Sequence, residues 1–144
     1  MKNWLIIYHS QTGNTEAMAK AISEGASSAG AQVILKRAVD AIDKDLLECD
    51  AIAIGTPNYF GYMAGLVKDF FDRAWPTIRE KVADKPYVIF GSYGGGGRQA
   101  VDTVESICNR LGMKRISEGI IVQRQPSAEN LNDCKELGKQ LAQL

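Results

Sequence analysis

The sequence predicts an α/β fold in which residues 1–144 form a single domain, built on an open, doubly wound parallel sheet of five strands with helices on both faces. Three observations lead there. Short apolar runs recur at intervals too long for hairpins, the stretches between them repeat apolar residues every three and four positions, and 144 residues can bury one sizeable core without staples.

The first strand is residues 4–8, an unbroken apolar run that suits burial on both faces. After a polar hexapeptide, Met18, Ala21, Ile22, Gly25, Ala26 and Ala29 form the apolar stripe of the first helix. Residues 32–35 make the second strand, and the weaker pattern of residues 40–48 makes a short helix. The third strand, residues 51–54, is again continuously apolar. Met63, Leu66, Val67, Phe70, Phe71, Ala74, Trp75 and Ile78 then mark a long helix that Pro76 should end or kink, because proline lacks an N–H and crowds the preceding turn. Residues 87–90 are the fourth strand. Val101, Val104, Ile107, Cys108 and Leu111 stripe the next helix, residues 119–122 are the fifth strand, and Leu131, Cys134, Leu137, Gly138 and Leu141 stripe the last helix.

Composition removes several function classes. A 45% hydrophobic and 24% charged chain is neither disordered nor fibrous, and 17 basic against 17 acidic residues leave no electrostatic footprint for nucleic acid or an anionic membrane. Cys49, Cys108 and Cys134 are odd in number and widely spaced, with no CxxC pair and no Cys/His cluster. They read as reduced, partly buried packing thiols and predict no metal site. The N-terminus shows no signal-peptide pattern and no segment is long and apolar enough to span a bilayer, so the expected location is cytoplasmic.

In an open parallel sheet ligands bind at the carboxyl ends of the strands, which singles out the loops after strands one, three and four. The first is Ser10, Gln11, Thr12, Gly13, Asn14 and Thr15. Three hydroxyls, two amides and a glycine at a helix N-terminus make an anion cradle, since unpaired N–H groups and the helix dipole both favour negative charge. Without Lys or Arg it differs from the Gly-x4-Gly-Lys nucleotide loop and suits a monophosphate ester better than a triphosphate. The plain alternative is an ordinary helix start capped by Asn14.

This hexapeptide resembles the phosphate loop of the flavodoxin family, which places a hydroxyl residue, any residue, a hydroxyl residue, glycine, Asn or Thr, and a hydroxyl residue after the first strand. The second loop is similar to that of flavodoxins and flavodoxin-like quinone reductases over residues 55–73; its aromatic cluster Tyr59, Phe60 and Tyr62 could pack on a flat heteroaromatic ligand or plug the sheet end. The third loop holds four consecutive glycines, Gly94 to Gly97, whose backbone can approach a ligand closely and adopt positive φ. From residue 90 to the C-terminus the chain is similar to the flavodoxin domain of flavodiiron proteins.

The resemblance implies a flavodoxin-like strand order 2-1-3-4-5 and an FMN cofactor. Its phosphate would sit on Ser10, Gln11, Thr12, Gly13, Asn14 and Thr15, and its ring between Thr56, Pro57, Asn58, Tyr59, Phe60 and Gly61 on one side and Ser92, Tyr93, Gly94 and Gly97 on the other. Tyr93 is the first choice for a stacking aromatic, Tyr59 or Phe60 the second. The chain departs from the acidic character of flavodoxins: loops two and three lack Asp and Glu, and Arg98 adds a nearby positive charge, which predicts a less negative potential for the second electron.

Two functions follow from the resemblance. The favoured one is an electron-transfer protein passing electrons from a reductase donor to an enzyme acceptor, as a monomer or weak homodimer, with no catalytic residue of its own. The alternative is an NAD(P)H-dependent FMN or quinone reductase, an enzyme using two-electron transfer. A ligand-sensing module is a further reading. A phospho-receiver domain would need an acidic pair where His9 and Ser10 stand, and a small phosphatase a Cys-x5-Arg loop, which none of the three cysteines begins. The single histidine, His9, has no partner that would make it catalytic, and Trp4 and Trp75 fit core positions.

Overall fold

Burial decides which strands are central. In the computed structural model, which describes residues 2–144, β1 (Asn3–Tyr8), β3 (Ala51–Pro57) and β4 (Pro86–Tyr93) lie side by side, parallel and almost wholly buried, as continuous apolar runs require. β2 (Gln32–Arg37), whose side chains are mostly half-exposed or exposed, borders β1 as an edge strand. The order is 2-1-3-4-5, as expected.

The fifth position is not one strand. β5 (Lys114–Arg115) pairs with the start of β4 and β6 (Ile120–Gln123) with its end. While β4 advances from Tyr87 to Phe90 the outer chain advances from Arg115 to Ile120, two residues more, so the intervening segment bulges out of the ladder. Gly119, expected inside this strand, sits just outside it at φ 76°.

Helices α1 (Asn14–Ser28) and α5 (Ala128–Ala142) cover one face over Trp4, Ile6, Met18, Ile22, Phe90 and Leu137. The pair is in close contact: a Cβ on Gly25 would meet the Lys135 carbonyl oxygen at 1.9 Å, and one on Gly138 the Ile22 oxygen at 2.1 Å. Glycine at these two positions is what lets the backbones touch. Trp4 is buried against the same helix and donates its indole N–H to the Leu141 carbonyl at 3.2 Å. The other face carries α3 (Gly65–Ile78) and α4 (Gln99–Arg110), with α2 (Asp43–Glu48) over the β2 edge, around Leu5, Ile7, Ile52, Ile54, Phe70 and Val104. Each buried aliphatic or aromatic side chain stabilises the fold by about 2 kcal/mol.

Several expectations need adjustment. The short helix is a single 3-10 turn (Ala38–Asp40) followed by α2. Pro76 does not end α3, which continues to Ile78: proline lies in the last turn, and Arg79 N–H closes that turn on the Trp75 carbonyl. Trp75, expected in the core, is 45% exposed because it falls on the outer side of α3. The cysteines are buried, and burial pushes the Cys49 and Cys134 thiols up to about 11 and Cys108 higher still, which fits packing groups. No helix among the described residues is long and apolar enough to cross a membrane.

Candidate functional site

The first loop leaves β1 at His9, whose N–H donates to the Gly55 carbonyl, and turns at Ser10, whose hydroxyl accepts the Gly13 N–H at 3.1 Å. Gly13 stands at φ 93°, a left-handed conformation in which other residues are strained, and the helix begins at the next residue. Asn14 is therefore the first helical residue and not the cap. No side chain caps α1, and its first internal bond is Ala17 N–H to Gly13 oxygen at 3.0 Å. The N–H groups of Asn14, Thr15 and Glu16 are left without a backbone or side-chain acceptor, an arrangement that attracts an anion. Behind the loop Arg37 donates to the Ser10 carbonyl at 3.0 Å, lies over the Tyr8 ring and pairs with Glu16, which in turn accepts the Tyr8 hydroxyl. This arginine braces the cradle from outside.

The second segment is less of a loop than the sequence suggests, since β3 runs to Pro57 and pairs Thr56 with Gly91 and Pro57 with Ser92. Buried Thr56 donates its hydroxyl to the Pro57 carbonyl at 2.8 Å and accepts the Ala64 N–H at 3.0 Å, tying the strand end to the start of α3. Tyr59 and Tyr62 then exchange backbone hydrogen bonds across Phe60 (φ 58°) and Gly61 (φ 73°), two positive φ values as in a type I′ turn. Phe60 at the tip is wholly exposed. Tyr59 points back, edge-on to His9 with ring centroids 5.9 Å apart.

The third segment likewise begins inside β4. The Ser92 hydroxyl meets that of Thr15 at 2.7 Å, both buried, which joins the end of β4 to the start of α1. Asn58 spans to the glycine run, its Nδ2 reaching Gln99 Oε1 at 2.9 Å and the Gly95 and Gly97 carbonyls at 3.4 Å. Its Oδ1 is buried with no partner among the described residues. Of the four glycines only Gly96 has positive φ.

These segments enclose a cavity of about 220 Å³ lined by Ser10, Gln11, Thr12, Asn14, Thr15, Pro57, Asn58, Tyr59, Ser92, Tyr93, Gly94 and Arg124. Eleven of the sixteen expected residues thus converge on one cavity. Gly13 and Thr56 shape its walls from behind. Phe60 and Gly61 face a neighbouring hollow beyond Asn58, and the Gly97 N–H is taken up by Gln99. Arg124 was not expected: it follows β6 at φ 60°, and its N–H donates to the Tyr93 carbonyl at 2.7 Å. The available signal was its position at the carboxyl end of the fifth strand, on the same sheet edge as the other loops.

The electrostatics also differ from expectation. Arg98 does not face the cavity as a free charge; it pairs with Asp102 at 2.9 Å and Glu105 at 3.9 Å along α4. No carboxylate lines the cavity, and Arg124 is its one charged side chain. Burial lowers the pKa of His9, with Arg37 adding to the effect, and burial raises that of Tyr59, partly offset by a backbone hydrogen bond from Gln11. No group of three or more His, Cys, Asp or Glu among the described residues could hold a metal ion.

The sequence model of the flavodoxin family matches residues 6–138. The chain belongs to the flavodoxin family. It is 31% identical to a flavodoxin of Aquifex aeolicus over 96% of its own length and 84% of the relative. It is 34% identical to an NAD(P)H dehydrogenase (quinone) 3 of Rhizobium meliloti over 78% of its length, and spans 65% of that longer protein. A solved flavodoxin from the domain Archaea superposes with a TM-score of 0.88 at 28% identity, covering 98% of this chain and 96% of the other. Both carriers and quinone reductases thus stand at comparable identity to this flavodoxin-family protein.

Proposed function

We propose that this flavodoxin-family chain is an electron-transfer protein that binds FMN in the cavity and shuttles electrons between redox partner proteins. The observation that supports it most is the uncapped start of α1 opening into a cavity flanked by two half-buried tyrosines. FMN, when bound, supplies the redox chemistry, accepting and releasing electrons one or two at a time.

The residues present fit such a ligand. The N–H groups of Asn14, Thr15 and Glu16, with the hydroxyls of Ser10 and Thr12, would hold its phosphate. Tyr59 and Tyr93, on opposite segments, would contact a planar ring, and the orphaned Asn58 Oδ1 is an acceptor in need of a donor such as a ring N–H. A cavity of about 220 Å³ is smaller than the roughly 300–1,000 Å³ of enclosed ligand sites, so part of such a ligand would remain outside it. Exposed Phe60 and Tyr62, on the turn that follows β3, offer a small apolar contact for a transient partner of the kind electron carriers use.

The two-electron reductase reading draws on the similarity to the quinone dehydrogenase, of which this chain spans 65%. Mixing the FMN-loaded protein anaerobically with NADH or NADPH separates the readings. A carrier stays oxidised until a flavodoxin reductase is added. Rapid bleaching by the nicotinamide alone, with turnover on a quinone, would replace the carrier assignment with the reductase.

A further inference from the structure

We infer that Arg124 is the counter-charge of the cofactor phosphate and makes the site select FMN over riboflavin. The inference rests on the FMN reading above. The cavity is asymmetric. The first segment leads into α1, which lies with α5 on one face of the sheet, whereas the second and third segments lead into α3 and α4 on the other. The cavity therefore has a phosphate end beside α1 and a ring end towards α3 and α4. Arg124 lies in the connection that enters α5, and α5 touches α1 closely enough that Gly25 and Gly138 admit no Cβ. That keeps the connection on the α1 face of the sheet, where Arg124 lines the cavity with Ser10, Thr12, Asn14 and Thr15 on one side and Tyr93 and Gly94 on the other.

Two further observations describe its side chain. The connection is pinned, by Arg124 N–H on the Tyr93 carbonyl at 2.7 Å and by Gln123 Nε2 on the Gly94 carbonyl at 3.1 Å, so the side chain starts from a fixed position. Its charge is also uncommitted. Arg37 is engaged by the Ser10 carbonyl and Glu16, and Arg98 by Asp102 and Glu105, but the Arg124 guanidinium makes no hydrogen bond or ion pair among the described residues. Hydroxyls and N–H groups alone would hold a phosphate ester that carries close to two negative charges at pH 7. A guanidinium adds a charge-assisted, two-pronged donor at that end.

The test is fluorescence titration of the apoprotein with FMN and with riboflavin, which lacks the phosphate, for the wild type and for Arg124→Gln and Arg124→Lys. Arg124→Gln should weaken FMN by about 10- to 100-fold, the range of a lost charged hydrogen bond, and leave riboflavin within about twofold. Arg124→Lys should recover most of the loss. The wild-type preference for FMN should shrink at high salt and as pH falls below about 6, where the phosphate takes up its second proton. Unchanged riboflavin binding also certifies that the variant is folded. Equal losses for both ligands, or no loss for either, would overturn the role of Arg124 while leaving the FMN assignment standing; a wild type that binds neither flavin would overturn both.

Discussion

Thr15 and Ser92 carry the most specific prediction about how the site is held together. Their hydroxyls meet at 2.7 Å, with Thr15 only 1% and Ser92 6% exposed, so removing one leaves the other without its protein partner in a nearly buried place. Thr15→Val keeps the shape but strands the Ser92 hydroxyl, and Ser92→Ala does the reverse. Each should cost about 2 kcal/mol, from the lost bond and the stranded polar group. The double variant strands nothing and should cost about as much as either single change. The cycle therefore predicts a coupling of about 2 kcal/mol, read from urea unfolding of the apoprotein with an unchanged denaturant slope. Single-variant losses that add to within about 0.5 kcal/mol would refute the bridge between the start of α1 and the end of β4.

Gly138→Ala puts a methyl 2.1 Å from the Ile22 carbonyl oxygen and 2.7 Å from the Ala26 nitrogen, both backbone atoms that can retreat only if the helices part. Thermal unfolding should show a loss of about 3 kcal/mol, or roughly 10 °C in Tm, and a loss under about 1 kcal/mol would contradict the contact. His9 binds its proton less readily in the fold than in the unfolded chain, so its contribution is complete above the ordinary pKa of 6.5 and disappears as pH falls through the lowered value. His9→Gln should flatten the decline of stability between about pH 7 and pH 5; an unaltered pH profile speaks against it. Because Arg98 is already paired with Asp102 and Glu105, Arg98→Gln should leave both flavin potentials within error in spectroelectrochemistry, whereas a clear negative shift would mean that its charge reaches the ring.

Much of this architecture is legible in the sequence because burial on both faces writes continuous apolar runs into β1, β3 and β4 and helical stripes into the segments between them. Three of the site's segments were visible for the same reason: each follows such a run. What escaped was decided by pairing partners far along the chain. Thr56, Pro57, Ser92 and Tyr93 read as loop, yet they extend the ladder because β3 and β4 supply each other's hydrogen bonds to their ends. The split fifth strand depends on two extra residues opposite β4, which no local pattern announces. Arg98 is the opposite case. Its spacing of four from Asp102 is a helical ion pair already readable in the sequence, and it took the charge away from the site. Arg124 sits in a polar stretch that looks like a helix lead-in; the pairing of β6 with the end of β4 brings it to the cavity.

The proposed role of this cavity is to hold FMN for one-electron transfer. A visible spectrum of the FMN-loaded, desalted protein during stepwise anaerobic reduction tests it most directly. The expected result is a flavin that survives desalting and passes through a long-wavelength-absorbing one-electron-reduced state before it bleaches. Bleaching in one step would contradict the carrier assignment, and a colourless protein after desalting would contradict the cofactor itself.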